Sequence, residues 1–204
     1  MTTSPKEIIR KNIRHALNEK TRAAQPVADP THPLLPAVNG QTFLEQFRKG
    51  GGQCKICTRE NFMQYLLKFL EAKKYRHIFN NCPSLSTYLH QNEVAFQEVL
   101  SPSAQPEIAI ALADNLIVRS GSLVFSQQYT RYASVRNIAP VLLAIGFVSN
   151  MVMDLKDVLD NCGADSQKKT GMLEVITPTL PDMVDGQPAY TPAHPQVLLL
   201  LVEN

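Results

Sequence analysis

Val197-Leu198-Leu199-Leu200-Leu201-Val202 is a run of six apolar residues without a polar interruption. A half-exposed strand alternates polar and apolar positions, whereas a strand buried on both faces does not, and a parallel sheet is where such strands occur. The run is also far below the ~20 residues needed to cross a bilayer as a helix. Val141 to Ile145 has the same continuous apolar character. Two strands of this kind predict an α/β fold, and the earlier part of the chain supplies the alternation that such a fold needs. Gln53 to Cys57 reads as a short strand. Arg59 to Lys73 is an amphipathic helix with Phe62, Met63, Leu66, Leu67 and Leu70 on one side. Arg76 to Phe79 is a second strand, and Ser84 to Gln91 a short helix after Pro83. Strand, helix, strand, helix predicts a mainly parallel sheet flanked by helices. Further on, Ile108 to Leu112, Asn115 to Val118, Ser122 to Ser126 and Leu173 to Thr177 read as strands, and Asp154 to Asn161 as a helix stopped near Gly163.

Toward the amino terminus the character changes. Residues 1–24 are expected to form a basic helical arm, with Ile8, Ile9, Ile13 and Leu17 on one stripe and Lys6, Arg10, Lys11 and Arg14 opposite. Residues 25–40 hold Pro26, Pro30, Pro33 and Pro36, a density that excludes helix and central strand and predicts an extended linker. Residues 41–204 form the α/β domain. Its first helix, Thr42 to Lys49, ends at Gly50-Gly51-Gly52.

The 204 residues are 44% apolar and 19% charged, ordinary for a globular chain. The formal net charge of +2 argues for neither nucleic acid nor a membrane surface as a partner. The first twenty residues carry charges throughout and no apolar signal core, so the expected location is the cytoplasm. Four cysteines, Cys54, Cys57, Cys82 and Cys162, are too few for a disulfide scaffold.

Cys54-Lys55-Ile56-Cys57 has the spacing of half a zinc site or a redox pair. It lies in a predicted strand, where residues three apart point to opposite faces, so two small strand residues is the preferred reading. Gly50-Gly51-Gly52 precedes a strand, the reverse of the order in a phosphate-binding loop, which favours a helix stop and tight turn. Arg119-Ser120-Gly121-Ser122 lies between two apolar segments. It is open to two readings: a turn presenting amides, hydroxyls and a guanidinium to an anion, or a plain β-turn with Gly121 at positive φ. The five histidines are scattered without metal-ligand spacing, so no metal site is expected. No nucleophile elbow, Walker loop or dinucleotide fingerprint is present.

Four ordered segments resemble the LUD-domain (lactate-utilisation protein C-like) family. They are Phe47 to Gly52 with the strand and helix that follow; Ala113-Asp114-Asn115-Leu116-Ile117-Val118-Arg119-Ser120-Gly121-Ser122-Leu123-Val124; Ile138 to Ala144; and Thr177-Pro178-Thr179-Leu180-Pro181-Asp182-Met183-Val184 with His194-Pro195 and the last strand. Where that family carries an acidic residue before its central turn, this chain carries Arg119. The resemblance is to a divergent member. It implies a fold similar to the NagB/RpiA/CoA-transferase-like group, with ligands beyond the carboxyl ends of the strands. It also implies an accessory role in oxidising L-lactate to pyruvate beside iron–sulfur partner subunits, since four scattered cysteines cannot hold such clusters here. No cofactor is expected on the chain itself.

The candidate ligand-binding residues are Arg119, Ser120, Gly121, Ser122, Thr177, Thr179 and Asp182, and no catalytic residue is assigned. The alternative function is that of a small-molecule enzyme or binding protein for an anion such as a sugar phosphate or acyl-CoA. A third reading is a regulatory module that recruits a partner through the basic arm and linker.

Overall fold

The computed structural model describes residues 40–100, 105–126, 134–164 and 173–203. The expected arm and linker lie outside these residues, except that Gly40 already belongs to the first helix. In chain order the elements are α1 (Gly40–Lys49), β1 (Gln53–Thr58), α2 (Phe62–Lys73), β2 (Ile78–Asn80), a single tight helical turn (Pro83–Leu85) leading into α3 (Ser86–Gln91), β3 (Ile108–Leu112), β4 (Asn115–Ile117), β5 (Ser122–Ser126), β6 (Val141–Phe147), β7 (Met151–Val152), α4 (Leu155–Ala164), β8 (Leu173–Ile176), β9 (Asp182–Val184), β10 (Gln187–Ala189) and β11 (Gln196–Glu203).

Five strands form an all-parallel sheet in the order β1-β11-β6-β3-β2, so the uninterrupted apolar run of β11 lies inside it, between β1 and β6. Register rows cross the sheet: Cys54 pairs with Leu199, Leu199 with Ala144 and Ala144 with Ala111. Successive residues of β11 serve opposite faces, as a strand's period of two requires. Val197, Leu199 and Leu201 enter one core cluster, and Leu198, Leu200 and Val202 the other.

The two faces differ in bulk. On the side covered by α2 and α3 stand Ile108, Ile110, Leu143 and Ile145, packed with Leu66, Leu70, Leu85 and Leu89. On the other side the same two strands present Ala109, Ala111 and Ala144 beside a single large residue, Leu142, with Ala113 just beyond β3. Small side chains there let a second layer come close. That layer is α1, contributing Phe43, Leu44 and Phe47, together with a second sheet in the order β7-β4-β5-β8. In this sheet β5 runs antiparallel to β4 and β8, while β7 is parallel to β4. A side chain at Gly146 would meet Leu116 of this layer at 2.8 Å. The outer face of the second sheet buries Ile117 and Val124 against Val158 of α4. Strands β4, β5, β7 and β8 therefore do not extend the parallel sheet but build a separate one that shares its core.

Helix boundaries shift for local reasons. Asn61 Oδ1 accepts a hydrogen bond from the Thr58 N–H at 2.9 Å, and the Asn61 N–H donates back to the Thr58 carbonyl. This turn occupies Arg59 and Glu60, so α2 starts at Phe62. It stops at Lys74, whose N–H still donates to the Leu70 and Glu71 carbonyls while its left-handed φ of 53° turns the following chain off the helix.

Leu199 is 1% exposed and Leu180 is 72% exposed. Leu199→Ala is predicted to lower unfolding free energy by about 2–5 kcal/mol. Leu180→Ala is predicted to change it by less than about 0.5 kcal/mol. Urea unfolding of both variants measures the contrast.

Candidate functional site

Three of the sequence candidates meet in a chain of hydroxyls. Ser122 Oγ lies 2.7 Å from Ser120 Oγ and 2.7 Å from Thr177 Oγ1. Ser122 is buried, whereas Ser120 and Thr177 are exposed. The pairing of β5 with β8, Leu123 opposite Ile176, carries Ser122 and Thr177 to the same end of the second sheet. Gly121 sets the turn at φ +62° and sits directly on α1, where an added Cβ would lie 2.3 Å from the Phe47 amide nitrogen. The backbone thus requires Gly121 at this turn, as the plain-turn reading expects, and its neighbours gather hydroxyls that bond one another.

The segment after Thr177 packs on the glycine turn. A Cβ on Gly50 would stand 2.6 Å from the Pro178 carbonyl oxygen, and one on Gly51 would stand 3.0 Å from that of Thr179. Gly50, Gly51 and Gly52 donate their N–H groups back to the Gln46, Arg48 and Phe47 carbonyls, which closes α1. These three glycines end a helix and seat a crossing backbone, and their amides are spent within the chain. The hydroxyl cluster therefore sits beside the amino end of β1, not beyond the carboxyl ends of the parallel strands.

Arg119 faces a different partner from the hydroxyls. Its guanidinium lies 3.8 Å from Asp154 Oδ2 in an exposed ion pair. Asp154 is the N-cap of α4: its Oδ1 accepts from the Lys156 and Asp157 N–H groups, while Asp157 Oδ2 accepts from the Met153 and Asp154 N–H groups. An anion recruited by Arg119 has to compete with a carboxylate that the helix already holds in place. Asp154 escaped the candidate list, although Asp154-x-x-Asp157 before an apolar stretch is a legible cap signal.

Thr179 and Asp182 are exposed, and neither contributes a hydrogen bond to the hydroxyl cluster. Asp182 opens the β9–β10 hairpin, an element the sequence reading missed. The signal was Asp185-Gly186, both with positive φ at 51° and 75°, which is the preferred two-residue hairpin turn.

The hydroxyls hydrogen-bond one another, and among the described residues no imidazole or carboxylate forms the nucleophile–base pair of a covalent catalyst with them. It offers donors, acceptors and a nearby cation, which is the chemistry of binding. Among the described residues no three His, Cys, Asp or Glu side chains gather as metal ligands would.

The CxxC cysteines separate as a strand demands. Cys54 packs against the core shared with the second sheet, and Cys57 is buried in the core under α2. Burial pushes the Cys54 thiol up to about 11 despite the opposing pull of Arg48, and raises Cys57 as well.

No family model matches the chain, and no curated protein matches it. Among solved structures, the crystal structure of a DUF162 family protein from Deinococcus radiodurans resembles it with a TM-score of 0.61 and 12% identity, over 80% of this chain and 95% of that one. At that identity the likeness is one of fold.

Two predictions follow from the site geometry. With its thiol at about 11, folded Cys54 at pH 8 is roughly one-thousandth thiolate. Iodoacetamide should label it far more slowly than in urea, as read by mass spectrometry. Gly121→Ala should cost about 2–3 kcal/mol or more, because the strained φ adds to a clash with α1. Arg119→Ala should cost less than about 0.5 kcal/mol, since it breaks only an exposed pair. Thermal unfolding of both variants checks this ordering.

Proposed function

We propose that this chain is a divergent LUD-domain protein that works in the cytoplasm as an accessory subunit in the oxidation of L-lactate to pyruvate, beside subunits that carry iron–sulfur clusters. The observation that carries the reading is the fold likeness to a DUF162 family protein across nearly all of that protein. DUF162 is the LUD-domain family. The residues that resemble the family support it further. Ala113 to Val124 spans β4, the Gly121 turn and half of β5, while Ile138 to Ala144 leads into the central strand β6. The four cysteines are scattered along the sequence, and Cys57 and Cys82 are buried, so electron carriers have to come from partners. The β9–β10 hairpin belongs to neither large sheet and, with the residues just before it, exposes Leu180, Met183 and Val184 at 72%, 65% and 57%. An exposed apolar group of this kind fits a protein interface.

The test is affinity purification of the tagged chain from cells grown on lactate. Iron–sulfur proteins should co-purify, and Met183→Asp should reduce their recovery. Isolation of the chain without iron–sulfur partners under these conditions would contradict the reading.

A second reading rests on the hydroxyl cluster and Arg119: a binding site for a small anion such as a sugar phosphate or acyl-CoA, with or without turnover. A ligand at 100 times its Kd should stabilise the chain by about 2.7 kcal/mol. A melting shift with one such compound, lost in Arg119→Ala, would favour this reading.

A further inference from the structure

A groove of about 620 Å³ lies at the β2 edge of the parallel sheet, across that sheet from β1 and separate from the hydroxyl cluster. Its walls are the last turns of α2, the connection from Lys74 to Ile78, and the segment that follows α3. Leu70 and Ile78, both buried, form its floor with half-buried Leu67 and Val94. Its volume falls within the range of small-molecule sites, which are mainly apolar with a few fixed polar groups.

The polar groups stand on the rim. Lys74 and Arg76 are exposed cations and line the groove together with Glu71, Tyr75 and Asn92. Neither cation forms a salt bridge among the described residues. Both stand on fixed backbone. The Lys74 N–H closes α2 on the Leu70 and Glu71 carbonyls. The Arg76 and His77 N–H groups donate to Glu107 Oε2 at 2.6 and 3.1 Å. The Glu107 carboxylate is therefore engaged by main-chain donors, and its charge also attracts the side chains of His77 and Arg76. An apolar floor with two cations at its mouth, beside the single lining carboxylate of Glu71, suits a molecule with an apolar chain and an anionic head, since the chain gains by burial and the head by charge-assisted hydrogen bonds.

We infer that this groove is a binding site for an amphiphilic anion with a single acyl chain. The site is independent of the lactate reading. Octanoate serves as the probe and octanol as its uncharged counterpart, titrated calorimetrically into the full-length protein. Octanoate should bind saturably and more tightly than octanol. Arg76→Glu should weaken octanoate by about tenfold or more, the worth of one charge-assisted contact. Ala95→Trp, at an exposed lining position, should block both ligands while leaving the melting temperature unchanged. Absence of saturable binding would overturn the proposal. So would equal affinity for octanoate and octanol, or undiminished binding in Ala95→Trp.

Discussion

The close seating of the second sheet on the parallel sheet is the constraint on which the rest of the molecule depends. Ala109, Ala111, Ala144 and Gly146 leave much of one face of β3 and β6 low, with Leu142 its one large side chain, and Leu116 of β4 approaches within the space a side chain at Gly146 would need. The opposite face, with Ile108, Ile110, Leu143 and Ile145, is bulky enough to hold helices at the usual distance. A parallel sheet must be covered on both sides, and here the two covers are of different kinds because the two faces differ in volume.

The hydroxyl cluster is a product of that seating. With β5 held over the core, its first residue and the residue after β8 are brought together, and the Gly121 turn is pressed onto the backbone of α1. Ser122 is buried by this packing and satisfied by Ser120 and Thr177. The same layer brings Arg119 to the N-cap of α4, because β4 runs parallel to β7 and the main-chain bonding continues from Val118 to Val152 and from Arg119 to Met153. Binding groups and structural groups are thus shared. Gly121 and Asp154 serve the fold first, whereas Arg119 and Thr177 are exposed, each engaged by a polar neighbour, Asp154 and Ser122.

Much of the fold was legible because its central strands are buried on both faces. Val197 to Val202 and Val141 to Ile145 admit no half-exposed arrangement, and the α2 stripe is regular. The allocation of strands to sheets was not legible by the same means. Ser122 to Ser126 and Leu173 to Ile176 are strands by composition, yet strand periodicity carries no information about which sheet a strand joins. That information lay in the small residues at alternate positions of β3 and β6. Within the candidate site, Ser120, Gly121 and Ser122 were identified by residue type around a turn and Thr177 through the family resemblance, and the structure brings the three hydroxyls together. Asp182 was grouped with them because it lies in the same family-resembling segment as Thr177. The Asp185-Gly186 turn instead commits it to a hairpin, and Asp154 entered only through tertiary pairing.

The functional account stands or falls on lactate. Deleting the coding sequence in the source organism and comparing growth on L-lactate with growth on pyruvate, each as sole carbon source, tests it most directly. The account predicts loss of growth on lactate with growth on pyruvate intact, restored by the wild-type chain. Undiminished growth of the deletion strain on lactate would contradict it.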